Sequence, residues 1–216
     1  MHRASSTASR LVGACTALSF AACTTDARAD DAADKLRTSG HAWYAGERDS
    51  GYLWGAAGLA SVGAAGALRF GDGSDVGRGM SSPLAGFGAL QLAIGVGSLL
   101  QRRARVDALD ASIARSPADA RAAEIARMRT LGTAFFAIEV VEAAVVIGGA
   151  SYAATRTAPG QAHARGVGLG FAIEGGAMMF LDALAAARAS RYAGQLDAID
   201  VAVVPAAGGV AVVGRF

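Results

Sequence analysis

Leu131–Ala154 reads LGTAFFAIEVVEAAVVIGGASYAA, and the placement of these 24 residues decides the fold. Phe135, Phe136, Ile138, Val140, Val141, Val145, Val146 and Ile147 make the run apolar on every side. Its length passes the ~20 residues with which a helix crosses ~30 Å of hydrocarbon. A helix apolar all round belongs in lipid or deep in a large core. Three further stretches of spanning length, Tyr52–Leu68, Pro83–Leu100 and Val167–Ala187, give four candidate spans. Tyr52–Leu68 is the weakest, because Ala and Gly contribute little transfer free energy, and a helix inside a soluble bundle is its other reading.

Small residues recur at four-residue spacing in Gly51 and Gly55, Ala93 and Gly97, and Ala172 and Gly176. In lipid such pairs let helix backbones approach closely, so that packing drives association. An Ala/Gly-rich composition also produces them by itself. The 216 residues are 53% hydrophobic yet only 6% aromatic, with 29 Gly, so the apolar surface is built from small side chains.

Beyond each span the apolar pattern narrows to a stripe. Val106, Leu109 and Ile113 recur among Arg102, Arg103, Arg105, Asp107 and Asp110, which carries the second helix into water. Ser116-Pro117 reads as an N-cap followed by proline at the first helical position, with Asp119 in the first turn. Ile125 and Met128 lead into the third span, while Ala185, Ala189, Tyr192, Leu196 and Ile199 prolong the fourth as a heptad-like seam. A polar helix-turn-helix over residues 101–130 therefore forms a stalk at one membrane face with the fourth helix and residues 30–50. The halves echo each other: Gly86-Phe87 returns as Gly170-Phe171, and Leu109-Asp110-Ala111 as Leu196-Asp197-Ala198. Either a duplicated hairpin or chance in an Ala/Leu-rich chain explains these matches.

The ends differ from the middle. Arg3 and Arg10 precede the apolar run Leu11–Cys23, and Ala27-Arg28-Ala29 is a small-x-small cleavage site, so residues 1–29 read as a bacterial export signal. Three outcomes stay open: cleavage before Asp30, lipidation at Cys23, where Phe20-Ala21-Ala22-Cys23 approximates a lipobox, or an uncleaved segment. Removing residues 1–29 takes Arg3, Arg10, Arg28 and Asp26, leaving 17 basic and 17 acidic residues. No sequence-wide basic field then invites nucleic acid. Both cysteines, Cys15 and Cys23, fall in the signal. In the tail, Val201–Val204 and Val210–Val213 flank Pro205–Gly209 and read as a β-hairpin over 201–216 that needs a partner edge.

Four spans return the C-terminus to the side of the mature N-terminus. That face carries Lys35, Arg37, Arg48, seven arginines between Leu100 and Leu131, Arg188 and Arg191, twelve cations against four opposite. Export puts it outside the cytoplasm, whereas the positive-inside rule puts it inside. The location read here is the bacterial cell envelope, with inner and outer membrane both open.

The chemistry lies in the second hairpin. Glu139 and Glu142 stand at i, i+3 on the third helix, and Glu174 and Asp182 on the fourth. A turn near Gly160 brings Asp182 to the depth of Glu139. Carboxyls at membrane depth are costly and face a polar interior, so these four form the candidate proton or cation site, relieved by a shared proton or a bound cation. Carboxyls held by hydroxyls, by Gln91 or by arginines are the structural alternative. Trp43, Tyr44, Tyr52 and Trp54 bracket the first span, where rings settle at a membrane interface or pack in a core. His41 and His163 lack a ligand-spaced partner, and Gly71–Gly77 reads as a polar turn.

These observations predict an all-α fold: an antiparallel four-helix membrane bundle of two tandem helical hairpins, with helical extensions beyond the membrane and a short C-terminal β-hairpin. The expected divisions are 1–29 signal peptide, 30–50 exported segment, 51–200 membrane domain and 201–216 hairpin tail. The expected role is a non-enzymatic scaffold or assembly subunit, with an oligomeric proton or cation conductor as the alternative. No cofactor is expected. The expected partners are the lipid bilayer and either further copies of the chain or another envelope protein. The Glu-x-x-His pattern of carboxylate-bridged bundle enzymes is absent from the sequence.

Overall fold

The structure, a computed structural model, describes residues 30–71 and 73–199 with their side chains. The export signal expected in 1–29 and the hairpin expected in 201–216 lie outside these residues. Four long helices follow one another: α1 (Ala8–Phe70), α2 (Asp75–Arg115), α3 (Pro117–Ala154) and α4 (Ala162–Ala198). They are arranged as two antiparallel hairpins, α1 with α2 and α3 with α4, and α2 packs against α4. The described residues are thus all-α, as the apolar periodicity requires.

Each junction follows from local chemistry. Gly73 sits at φ +66° and Gly160 at φ +85°, the left-handed region open to glycine, and these two residues turn the hairpins. Ser74 caps α2, its hydroxyl accepting from the Gly77 N–H at 3.0 Å. Ser116 ends α2 in an extended conformation and caps α3, accepting from the Asp119 N–H at 3.3 Å, with Pro117 opening the helix. The break expected at Ser116-Pro117 is where the chain turns.

Helices α2, α3 and α4 are long and apolar enough to cross a membrane, whereas the described part of α1 does not reach this hydropathy, so three candidate spans stand where four were expected. This agrees with the small side chains of Tyr52–Leu68. Only 6% of the apolar window of α3 is buried, against 28% in α2 and α4, so α3 is the most outward-facing of the three. Its outer face carries Phe136, Val141 and Ile147, each more than 60% exposed.

Glycines set the helix approaches. A Cβ on Gly58 would lie 2.6 Å from the Gly88 carbonyl oxygen, and one on Gly95 would lie 2.7 Å from that of Gly51, so α1 runs along α2 almost backbone to backbone. Gly149 and Gly168 do the same for α3 and α4. Where α2 crosses α4, a Cβ on Gly79 would strike His163 and Val167, and one on Gly166 would strike Val76 and Met80. These two contacts are reciprocal at a separation of 87 residues (166 minus 79), the separation of Leu109 from Leu196. Phe87 and Phe171 meet edge to face near the same crossing, with centroids 5.8 Å apart. Of the expected small-residue pairs, Gly51 lies at the interface and the Gly55 backbone is approached by Gly95, whereas a Cβ on Gly55, Gly97 or Gly176 meets nothing within 4 Å.

The largest side chains pack at the other end, in the stalk. Leu109, Ile113, Met128, Tyr192 and Leu196, drawn from the stripes seen in the sequence, form its core together with Leu36 of α1. Trp43 and Tyr44 belong to this core, and Trp54 is buried too, whereas Tyr52 is 60% exposed. Core packing therefore accounts for three of the four rings that bracket the first span.

Candidate functional site

Four polar side chains are buried where α2, α3 and α4 converge: Gln91, Glu142, Glu174 and Asp182. They fall into two pairs. Gln91 on α2 is fully buried and its Nε2 donates to Glu174 Oε2 on α4 at 2.9 Å, while its own Oε1 has no partner. This amide holds the Glu174 carboxylate against α2 and closes one side of the site, the structural arrangement anticipated for Gln91.

Glu142 on α3 and Asp182 on α4 form the second pair. Their carboxyls are close enough to act on each other. No N–H or hydroxyl of the described residues reaches either oxygen of Glu142, which is only 5% exposed. Neighbouring carboxyls in apolar surroundings repel when both are ionised, and one proton held between them removes the repulsion and supplies the missing hydrogen bond. The Asp182 partner is thus one turn from the Glu139 expected by depth. Helical side chains tilt toward their own N-terminus, so in an antiparallel pair those of Glu142 and Asp182 lean toward each other.

Glu139 is half-buried and close enough for its charge to act on both carboxyls. It lines a separate hollow of about 200 Å³ on the other face of α3 and α4, beside Ala186 and Ser190. The structure therefore joins Glu142 to Asp182, joins Glu174 to Gln91, and leaves Glu139 at the flank.

Sequence reasoning missed a third polar centre, in the stalk. Glu124 on α3 receives a forked contact from Arg127, with Nη2 donating to Oε2 at 2.6 Å and Nε to Oε1 at 3.1 Å. The Tyr192 hydroxyl donates to the same Oε2 at 3.1 Å. Arg127 also lies over the rings of Tyr44 and Trp43, 5.4 and 5.8 Å from their centroids, and Trp43 stacks on Tyr192 at 5.4 Å. Burial, and then the Glu124 charge, push the Tyr192 and Tyr44 hydroxyls above the usual phenol range. Burial alone would lower Arg127, but its hydrogen bond to Glu124 and that residue's charge outweigh it and raise the net value. The sequence signal is slight: Glu124 stands four residues from both Ala120 and Met128, on the stripe that the structure buries.

Between stalk and carboxyl pair lies a cavity of about 480 Å³ that all four helices line. Trp43, Trp54, Phe135 and Met178 form apolar walls, with Asp182 toward the membrane end and Glu47 and Arg188 toward the stalk. Burial holds the Glu47 carboxyl above its usual range, only partly offset by Arg105 at 3.4 Å. Arg188 donates to the Gly46 carbonyl at 2.8 Å, and the Trp43 indole N–H has no partner. Among the described residues no three His, Cys, Asp or Glu side chains are grouped to hold a metal ion. His41 contacts Asp110 at 3.0 Å on the stalk surface. Comparison with known protein families, curated proteins and solved structures finds no match to this chain.

Proposed function

We propose that this protein is a non-enzymatic integral membrane protein of the bacterial cell envelope, exported through residues 1–29 and acting as a scaffold or assembly subunit. The observation that carries the reading is the apolar outer face of α3, with Phe136, Val141 and Ile147 turned outward while the polar groups of the bundle are buried. A face of that kind is stable only against lipid or against another apolar helix. Glycine contacts and the capped stalk give a rigid body on which such a face can be presented, and tandem duplication of one hairpin accounts for the reciprocal contacts of Gly79 and Gly166. The partners proposed are the bilayer and either further copies of this chain or another envelope protein. Cross-linking in native membranes, followed by mass spectrometry of the mild-detergent extract, tests it. A complex larger than one chain is expected, and a strictly monomeric species would overturn the assembly role.

A second reading, an oligomeric proton or cation conductor, is favoured by the Glu142 and Asp182 pair. A carboxyl pair sharing one proton at membrane depth is a group that can load and release a charge. Proton flux in liposomes carrying the wild-type chain, lost in Glu142→Gln and Asp182→Asn, is the result that conduction requires. No flux in any of the three would leave the pair structural.

A further inference from the structure

We propose that the cavity beneath the stalk binds a lipophilic organic cation, whose charge is met by Asp182 in exchange for the proton that Asp182 shares with Glu142. This is a binding function that neither scaffolding nor conduction requires. It rests on the chemistry of the cavity's two ends. At the membrane end Asp182 is 8% exposed, its carboxyl neighbours are Glu142 and Glu139 from α3, and no arginine or lysine forms an ion pair with it among the described residues. The charge there is uncompensated except by a proton.

The stalk end is balanced. Glu47 from α1 faces Arg105 from α2, and Arg188 is tied to the Gly46 carbonyl. Arg188 lies six residues from Asp182, about 9 Å along the helix axis, so it does not neutralise the deeper acid. From α2 the cavity receives Ile94 and Ser98, neither of them charged. A cation entering from the membrane side therefore meets a carboxyl before it meets a positive group.

The walls decide which kind of cation. An inorganic ion needs six or so oxygens to replace its water, and two carboxyls amid Phe135, Met178 and Ile94 cannot supply them. A bulky organic cation carries a weakly hydrated charge and an apolar body, loses little water on entry, and buries that body against the same walls. The rings add a preference. The Trp43 ring is already engaged by Tyr192 and by Arg127. Trp54, 6% exposed, lines the cavity and has no ring or cation contact among the described residues, which leaves it as the aromatic partner for a ligand cation.

The experiment uses the full chain in detergent micelles, with tetraphenylphosphonium as the probe and triphenylphosphine oxide as its neutral counterpart, read by equilibrium dialysis and by tryptophan fluorescence. Saturable binding of about one cation per chain is expected, with affinity rising as pH rises because proton and cation compete for one carboxylate. Asp182→Asn should weaken it at least tenfold and Asp182→Glu should restore most of it, with helicity by circular dichroism unchanged. Trp54→Phe should remove most of the fluorescence response. Equal binding of the neutral compound, affinity independent of pH in the wild-type chain, or undiminished affinity in a folded Asp182→Asn chain would each overturn the proposal. The first two results need no variant, so a misfolded substitution does not shield it.

Discussion

Glu124 takes three donor contacts from Arg127 and Tyr192 with a side chain only 11% exposed, and removing one partner of so enclosed a group leaves the rest stranded. Glu124→Gln strips the charge and exposes Arg127 to burial without a counter-ion, which costs about 3–5 kcal/mol in comparable pairs. Tyr192→Phe keeps the fork and loses one hydrogen bond to a charged acceptor, about 1.5–3 kcal/mol. Unfolding in detergent, followed by tryptophan fluorescence, should rank Glu124→Gln below Tyr192→Phe and both below wild type. Glu47 adds a pH dependence of definite sign. Its carboxyl is held above the usual range by burial, so the folded chain binds that proton more tightly than the unfolded one. The stabilisation is full below the ordinary carboxylate pKa and lost as pH rises through the raised value. Glu47→Gln should flatten that fall, and an unchanged pH profile would assign the slope elsewhere. At this scale the sequence exposed acids inside apolar runs, which is why Glu142, Glu174 and Asp182 were legible. Side-chain tilt, which pairs Asp182 with Glu142 rather than Glu139, leaves no trace in residue spacing. Glu124 was hidden because a charge within a mixed stalk looks like solvent-facing surface until the opposing helix is known.

Between elements, the glycines divide by what a methyl group would meet. Gly166→Ala places a Cβ against the backbone of Val76, where only a separation of α2 from α4 relieves the clash. Overpacking of that kind costs about 1–3 kcal/mol. Gly97→Ala meets open space, so the gain in helix propensity, about 0.5–1 kcal/mol, should prevail. Opposite signs in one thermal-unfolding series are the expected outcome, and equal effects would mean that α2 and α4 do not cross at Gly79 and Gly166. Four-residue spacing marked Gly51 correctly but also marked Gly55, Gly97 and Gly176, where a methyl group meets open space. Spacing alone cannot distinguish them, because a small residue favours close approach only where a second backbone arrives, and the partner comes from the other hairpin. The echo of Leu109-Asp110-Ala111 in Leu196-Asp197-Ala198 was the better guide. Its separation of 87 residues is that of the reciprocal glycines, and Leu109 and Leu196 are both in the stalk core. The cap at Ser116 and the turns at Gly71–Gly77 and Gly160 were legible because they depend on neighbours in the chain alone.

The whole molecule is longer than a membrane is thick. At about 1.5 Å per residue the 41 residues of α2 extend about 60 Å, twice the hydrocarbon layer, so a bundle that spans a membrane leaves roughly half of its length in water. The core agrees with that division, its large side chains gathering in the stalk while the membrane-level helices meet through glycine. Which side the stalk occupies is where two rules oppose each other. An exported N-terminus puts it outside the cytoplasm, and the twelve cations on that face argue for the inside. The ion pairs make the proposed export compatible with that count, because Arg37, Arg105 and Arg127 are each held by acids of the same face, at Asp34 and Asp110, Glu47 and Glu124. Cations neutralised in this way carry less of the topogenic charge that retains a segment inside. Single cysteines at Ala114, in the stalk, and at Thr157, in the turn between α3 and α4, make the prediction concrete, since both positions are exposed. In cells with a permeable outer membrane, an impermeant maleimide should label Ala114→Cys at once and Thr157→Cys only after the inner membrane is lysed. The reverse pattern would place the stalk in the cytoplasm and remove the export signal from the proposal. Labelling of both before lysis would put the bundle outside the inner membrane altogether, and proton conduction across that membrane would fall with it.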